Sequence, residues 1–189
     1  MSTDPWVSGG ALSVNDRRVA ANAMAVPFAD ASFDVIWSDK LLQRVERPAD
    51  ALAAMARVIR PGGRLVLAES DHTTVRLSDH GVAIGADLLA YRTTCFAAPD
   101  AGARLPDWCR AAGLEMTRTE FATVAIDSFE EARALGLFVF DWQDDYASID
   151  DMHCQALNDL VRQAESSSKN GEFHYESRLH VICAQRSDV

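Results

Sequence analysis

The sequence lacks the features that mark membrane proteins, zinc modules and nucleic-acid-binding proteins. It contains no apolar run near the roughly 20 residues of a membrane-spanning helix. Its four cysteines are widely spaced and form no Cys-x-x-Cys pair, which argues against a zinc knuckle or a thioredoxin-type redox site. Basic residues are also scarce, with 18 Lys and Arg against 28 Asp and Glu. The net charge of -10 repels phosphate backbones and anionic lipids, so we expect neither nucleic acid nor a membrane as partner.

The amino terminus, MSTDPWVSGG, has no basic region followed by an apolar stretch, so we expect no signal peptide. Together with the cysteine spacing, this predicts a reducing, cytoplasmic environment. The chain has 189 residues, of which 48% are hydrophobic, and this suffices for one domain with a substantial core. We expect an arm over residues 1–16 and a single domain over residues 17–189.

The strongest local pattern lies between residues 22 and 71. PFADAS predicts a turn, and FDVIW, from Phe33 to Trp37, is typical of a compact strand. Pro48 then opens a helix with apolar residues at helical spacing, which Pro61-Gly62-Gly63 ends after Arg60. RLVLAE follows as a buried strand. A strand, a helix and a second strand in this order predict a βαβ unit with parallel strands.

The rest of the chain predicts further elements. We expect a short strand at residues 17–24, an amphipathic helix at residues 80–91 and a short helix at residues 105–112. A strand is expected at residues 115–126, and helices are expected from Phe129 and over residues 149–164. The alternation in FHYESRLHVICA predicts a final edge strand.

Candidate catalytic residues follow the two strands of the βαβ unit. Ligands of such folds bind beyond the carboxyl ends of parallel strands. Asp39 follows the first strand, and Asp71 and His72 follow the second, so two carboxylates and an imidazole would share one rim and support acid–base catalysis. The alternatives are that Asp39 caps a turn, Asp71 opens a loop and His72 is a solvated loop residue. The spacing of the other histidines predicts no metal site.

The segment from Asn22 to Asp71 resembles the middle of the class I S-adenosylmethionine-dependent methyltransferases that act on small molecules. The phrases AMAVPFADASFDVIWSD and RVIRPGGRLVLAES carry the resemblance, and ARLPDWCRAAGLE and GEFHYESRLHVICAQR extend it over about residues 18–186. The resemblance implies an α/β, truncated Rossmann-like methyltransferase fold. In such a fold the sheet is mostly parallel, with an antiparallel C-terminal strand.

Two parts of that family's cofactor site have no counterpart here. Both the glycine-rich loop after the first strand and the acidic residue that holds the ribose are absent, and these groups supply most of the polar recognition. Asn22 stands where the family carries an acidic residue near the adenine. The resemblance therefore implies cofactor contacts only at Asn22 and Ala23, if S-adenosylmethionine binds. We expect no cofactor for the lone chain, with S-adenosylmethionine as the alternative.

Candidate substrate contacts also come from the resemblance. Arg44 stands where the family often has a histidine, and it could bind a carboxylate or phenolate or pair with a nearby acidic side chain. Tyr91, Arg92 and Trp108 fall in the region that resembles the family's substrate cover. The alternative for these residues, and for Trp108 above all, is helix packing. The acidic segment 138–151 could be a lid or a solvated helix junction.

Three functions remain open at this stage. The first is a methyltransferase-like enzyme that has lost methyl transfer and carries out cofactor-independent acid–base or shape-enforced chemistry, such as cyclisation, isomerisation or hydrolysis, on a small metabolite. The second is a methyltransferase completed by a partner chain or a dimer. The third is a non-catalytic partner of another enzyme. The strand from Phe33 to Trp37 would have an exposed edge. We expect either residues 19–21 or, in a homodimer or with another protein, a second chain to cover it.

Overall fold

The computed structural model describes residues 19–86, 90, 93–94, 96–135 and 151–187. The strands are β1 (Phe33–Asp39), β2 (Ile59–Asp79), β3 (Val82–Ala83), β4 (Leu114–Ile126) and β5 (Phe173–Arg186). The helices are α1 (Pro48–Val58), α2 (Ala101–Ala111), α3 (Phe129–Ala134) and α4 (Asp151–Lys169). Two short 3-10 helices, η1 (Ala23–Ala25) and η2 (Leu42–Arg44), precede and follow β1.

The strands form one sheet in the order β1-β2-β5-β4, with β3 paired to the end of β2. β1 and β2 are parallel, which confirms the predicted βαβ unit. β5 runs antiparallel to both of its neighbours, β2 and β4, as predicted for the C-terminal strand. The fold is α/β and Rossmann-like. Among the described strands, the parallel pairing is that of β1 with β2, and the remaining pairs are antiparallel.

Helix α1 forms because Pro48 sits at its first positions and because its apolar face, including Leu52 and Met55, is buried. It ends at Val58 and not at Arg60 as expected. Arg60 already belongs to β2, where its Nε lies 2.6 Å from Oδ1 of Asp34 on β1. The carboxyl end of α1 is capped from a distance, because the Arg186 guanidinium donates to the carbonyls of Ala56, Arg57 and Ile59.

Two hydrophobic clusters lie along the sheet. The first joins α1 and α2 to the sheet and includes Leu52, Leu65, Leu67, Leu105 and Ile182. The second joins α3 and α4 to the far half of β2 and β5 and includes Leu77, Ile84, Phe129, Leu160 and Phe173. Both clusters contain residues of β2 and β5, so these two long strands run through the whole described core.

Three secondary-structure expectations are wrong. The strand expected to end at Glu69 is longer, because β2 runs on to Asp79 and contains Asp71 and His72. Residues 19–22 form no strand and η1 follows them, so this segment does not cover the edge of β1. Residues 80–91 do not begin as a helix, because His80 and Gly81 form a tight turn from β2 into β3. Both residues have positive φ, 48° and 75°, which is the backbone of a two-residue type I′ hairpin turn.

The described helices are too short or too polar to cross a membrane. The expected lid segment 138–151 lies outside the described residues except for its last position, Asp151, where α4 begins.

Candidate functional site

The candidate site lies at the carboxyl end of β1, beside the middle of β2. The parallel pairing of the two strands ends at Asp39 and Ala68, so the last residue of β1 lies beside Glu69, Asp71 and His72, which are inside β2. Asp39 is exposed, whereas Asp71 and His72 are buried. Two further buried polar residues, Glu69 and Gln43, lie beside these three.

Glu69 is the most deeply buried carboxyl group of this rim, with no exposed surface. Its Oε1 accepts a hydrogen bond of 2.7 Å from the N–H of Leu42, and its Oε2 accepts one of 3.3 Å from the N–H of Gln43. Glu69 therefore holds the start of η2 against the middle of β2. Burial raises the pKa of Glu69 to about 7; the backbone N–H groups lower it and the negative charge of Asp39 raises it further.

Sequence reasoning did not select Glu69 as a site residue. A signal existed, because a glutamate ended an otherwise apolar strand, RLVLAE, where a buried carboxyl group must find hydrogen-bond donors. The identity of those donors could not be inferred, because they belong to a 3-10 turn that approaches β2 only in the folded chain.

His72 is held on three sides and is not the solvated loop residue of the alternative reading. Its Nε2 lies 3.0 Å from Oε1 of Gln43, and its ring stacks on Phe96 with 3.8 Å between ring centroids. Its backbone N–H donates to the carbonyl of Pro99 over 2.8 Å.

Asp71 acts mainly on the local chain. Its Oδ1 accepts hydrogen bonds from the N–H of Thr73 at 3.0 Å and from the Thr73 hydroxyl at 2.5 Å. These bonds shape the turn in which β2 leaves its register with β5, between Asp71 and Arg76. Asp71 also lies near His180, whose pKa is lowered by burial, raised by the charge of Asp71 and lowered by Arg178. Asp71 thus lies within β2, at the start of an irregular stretch of the strand, and opens no loop.

The close approach of α2 completes the rim. A Cβ atom on Gly102 would lie 2.7 Å from the carbonyl oxygen of Glu69 and 2.8 Å from Cδ2 of His180. Only glycine lets the first turn of α2 pack this close to β2 and β5. The helix thereby closes one side of the polar cluster.

The expected substrate residues have different environments. Arg44 is exposed, and its guanidinium carbon lies 5.8 Å from the ring centroid of Phe96, next to His72. Asp50 pairs with Arg47, at 3.0 Å. Trp108 lies in the first hydrophobic cluster with 6% of its surface exposed, and Arg104 covers its ring. Tyr91 and Arg92 lie outside the described residues.

The expected cofactor contacts lie just before β1. The Oδ1 of Asn22 accepts a hydrogen bond of 2.9 Å from the N–H of Met24, so this exposed residue caps η1. Ala23 is half-buried and packs against the first hydrophobic cluster. Asn22 is thus presented on a short, well-anchored turn.

The sequence and the fold of the chain are similar to those of known proteins. Residues 9–67 match a family described as a methyltransferase domain. A candidate methyltransferase from Bacillus halodurans, of known crystal structure, superposes with a TM-score of 0.56 at 15% identity, over 90% of this chain and 77% of that one. The chain has the Rossmann-like methyltransferase fold.

Relatives with closer sequences match this methyltransferase-like scaffold over a shorter stretch. The demethylmenaquinone methyltransferase of Renibacterium salmoninarum is 46% identical over 71 residues, which is 34% of this chain and 30% of that protein. The ubiquinone/menaquinone biosynthesis C-methyltransferase of Dinoroseobacter shibae is 48% identical over 59 residues, or 31% of this chain and 24% of that protein. The matched segment therefore spans less than a third of either relative.

Proposed function

We propose that the chain is a methyltransferase-type enzyme that acts on a small organic molecule at the rim of β1 and β2, with S-adenosylmethionine as methyl donor. The observation that carries this proposal is the parallel β1–α1–β2 unit. It falls largely within the segment that matches the methyltransferase domain, and a buried polar cluster lies at its carboxyl edge. Methyltransferases of quinones are among the similar proteins, so an aromatic acceptor is the first class to test.

The described residues fit one side of the donor's site. Asn22, on the turn before β1, offers an amide that can both donate to and accept from an adenine ring, and Ala23 supports that turn. Within the described ranges, no glycine-rich turn joins a strand to a following helix. Groups for the rest of the donor would come from residues beyond these ranges or from a second chain. When bound, S-adenosylmethionine supplies an electrophilic methyl group.

The rim residues would prepare the acceptor. A carbon or oxygen that accepts a methyl group has to lose a proton, and the exposed carboxylate of Asp39 is the candidate base. His72 is buried, and its contact with Gln43 would hold the rim in place. Arg44, beside Phe96, would orient an anionic acceptor such as a phenolate. Glu69 and Gln43 would hold these groups in place and would not react themselves.

Calorimetric titration of the full chain with S-adenosylmethionine and S-adenosylhomocysteine tests the donor. We expect micromolar binding that Asn22→Ala weakens several-fold. Asn158→Ala, which changes an exposed asparagine on α4, is the matched control and should bind as the wild type does. If the wild-type chain binds neither compound, the methyl-transfer proposal fails for the lone chain.

A second candidate is the cofactor-independent acid–base enzyme expected from the sequence. Its support is the coexistence at one rim of Glu69, with a pKa near 7, and the exposed Asp39, since two carboxyl groups in different environments can divide the roles of acid and base. Cyclisation, isomerisation and hydrolysis assays without S-adenosylmethionine test it. Asp39→Ala, Asp71→Ala and His72→Ala should each lower any activity found, and unchanged activity in all three would remove these residues from the site.

We also propose that a second copy of the chain, or another protein, covers the edge of β1. β1 ends the described sheet, and its side chains Val35 and Trp37 are 58% and 67% exposed on one face. In an antiparallel pairing of two copies centred on Ile36, Val35 would lie opposite the partner's Trp37. Such a contact is self-complementary, as a two-fold dimer requires.

A further inference from the structure

A second polar cluster lies where β2 ends, outside the candidate site. It consists of Asp79, His80 and Glu172, whose ligand atoms all lie within 4.8 Å of one another. The closest two are Nε2 of His80 and Oε2 of Glu172, which are 2.8 Å apart. One imidazole nitrogen and two carboxylate oxygens thus lie close enough together to bind one ion.

The backbone holds these residues together independently of their side chains. Asp79 is the last residue of β2 and pairs with Phe173, the first residue of β5. Glu172 directly precedes that strand, and the N–H of His80 donates to its carbonyl over 3.3 Å. The register of the β2–β5 pair therefore fixes the spacing of the cluster.

Helix α4 orients the third member. The hydroxyl of Ser167 donates a hydrogen bond of 2.8 Å to Oδ1 of Asp79, and Nε2 of Gln163 lies 3.4 Å from Oδ2. Ser167 is buried, with 2% of its surface exposed. Outer hydrogen bonds of this kind direct the carboxylate ligands of metal sites.

We propose that Asp79, His80 and Glu172 form a Zn²⁺ site with water in the fourth position. Histidine nitrogen and carboxylate oxygen bind Zn²⁺ at about 2.0–2.2 Å, so neighbouring ligands in a tetrahedral site lie about 3.3 Å apart. The present separations bracket that value, and the side chains of His80 and Glu172 are 65% and 29% exposed, which leaves them room to adjust. The charge of the ion balances the two carboxylates.

A nearby pair shows that a histidine beside carboxylates is not sufficient. His174 contacts Asp127 through Nδ1 at 2.6 Å and Glu176 through Nε2 at 3.9 Å. Its two acidic neighbours lie at opposite nitrogens of the ring, so they cannot bind one ion together with it. His174 is therefore an internal control for the cluster around His80.

A bound ion would stabilise this end of the sheet. It would tie the β2–β3 turn to the loop between α4 and β5, two segments that otherwise meet through a backbone hydrogen bond. An ion that binds only the folded chain raises the midpoint of thermal unfolding, and the stabilisation grows with the logarithm of the free ion concentration above the Kd.

Titration of the chelator-treated full chain with ZnCl₂, by calorimetry and by thermal unfolding, tests the site. We expect one ion per chain and a raised unfolding midpoint. His80→Asn suits the positive φ of the turn; it and Glu172→Gln should each weaken binding at least ten-fold. His174→Asn should bind as the wild type does. With Co²⁺ in place of Zn²⁺, the visible spectrum should lack a sulfur-to-metal charge-transfer band.

Three results would overturn the proposal. The first is an absence of saturable binding by the wild-type chain. The second is equal affinity in the His80→Asn and wild-type chains, with circular dichroism showing both folded. The third is a cobalt spectrum with thiolate bands, which would place the ion at cysteine.

Discussion

The Nε2 atom of His72 lies 3.0 Å from the amide oxygen of Gln43, and this contact joins the middle of β2 to the 3-10 helix η2 that follows β1. Gln43 is also held from the other side, because its N–H donates to the carboxyl group of Glu69. Gln43, which is 2% exposed, thus links His72 and Glu69 at the candidate site.

Gln43→Leu should lower the free energy of unfolding by about 1–3 kcal/mol, because it removes the amide oxygen that His72 contacts in a buried setting. Urea denaturation measures the change. Gln155→Leu, on an exposed position of α4, is the control and should change stability by less than about 0.5 kcal/mol. Equal effects of the two variants would show that the Gln43–His72 contact contributes nothing.

Glu69→Gln should change the pH dependence of stability. The folded-state pKa of Glu69, about 7, is above the ordinary glutamate value of 4.5. Between these values the folded chain binds more protons than the unfolded chain, so the wild-type free energy of unfolding falls as pH rises through that window. The fall from this group is about 3 kcal/mol at most, since one pKa unit corresponds to about 1.4 kcal/mol.

Denaturation from pH 4 to pH 8 measures this effect. Glu69→Gln should lack the fall, whereas Glu165→Gln, which changes an exposed glutamate on α4, should keep the wild-type profile. If the Glu69→Gln and wild-type profiles run parallel, the carboxyl group does not titrate in this window.

Gly102→Ala should destabilise the protein by about 1–3 kcal/mol, although alanine normally favours a helix over glycine. The added methyl group would meet the carbonyl of Glu69 at 2.7 Å and force α2 away from the sheet. Thermal or urea unfolding gives the sign. Ala103→Ser, at the exposed next position of α2, is the control. An increase in stability for Gly102→Ala would contradict the close packing of α2.

Trp37→Lys should convert a dimer into a monomer, because it places a charge on the exposed face of the edge strand β1. Sedimentation velocity at micromolar concentration is the measurement. Val82→Lys, at a position 66% exposed on β3, is matched in exposure and should leave the dimer intact. A monomeric wild-type chain would remove the two-copy version of the proposal.

The βαβ unit was predictable from the sequence because the residues that begin and end its elements act locally. The turn before Phe33, Pro48 at the start of α1 and the Pro-Gly-Gly after it act through neighbouring residues alone. The parallel pairing then implied that Asp39 and His72 share an edge. Glu69 was not predictable as a site residue, because its partners reach it only through tertiary contacts. The helix expected from His80 failed for a similar reason, since two positive φ angles turn the chain back into β3.

The long strand β2 carries a final implication. It spans 21 residues, runs through both hydrophobic clusters and is paired with β5 on either side of the interruption between Asp71 and Arg76. Strain introduced at one cluster is therefore transmitted along a shared backbone to the other, and the two clusters should lose their amide hydrogen-exchange protection together. This interruption in the hydrogen-bonded pairing of β2 with β5 lies next to His72. The candidate site thus lies beside the break in the β2–β5 ladder, between the two clusters that β2 joins.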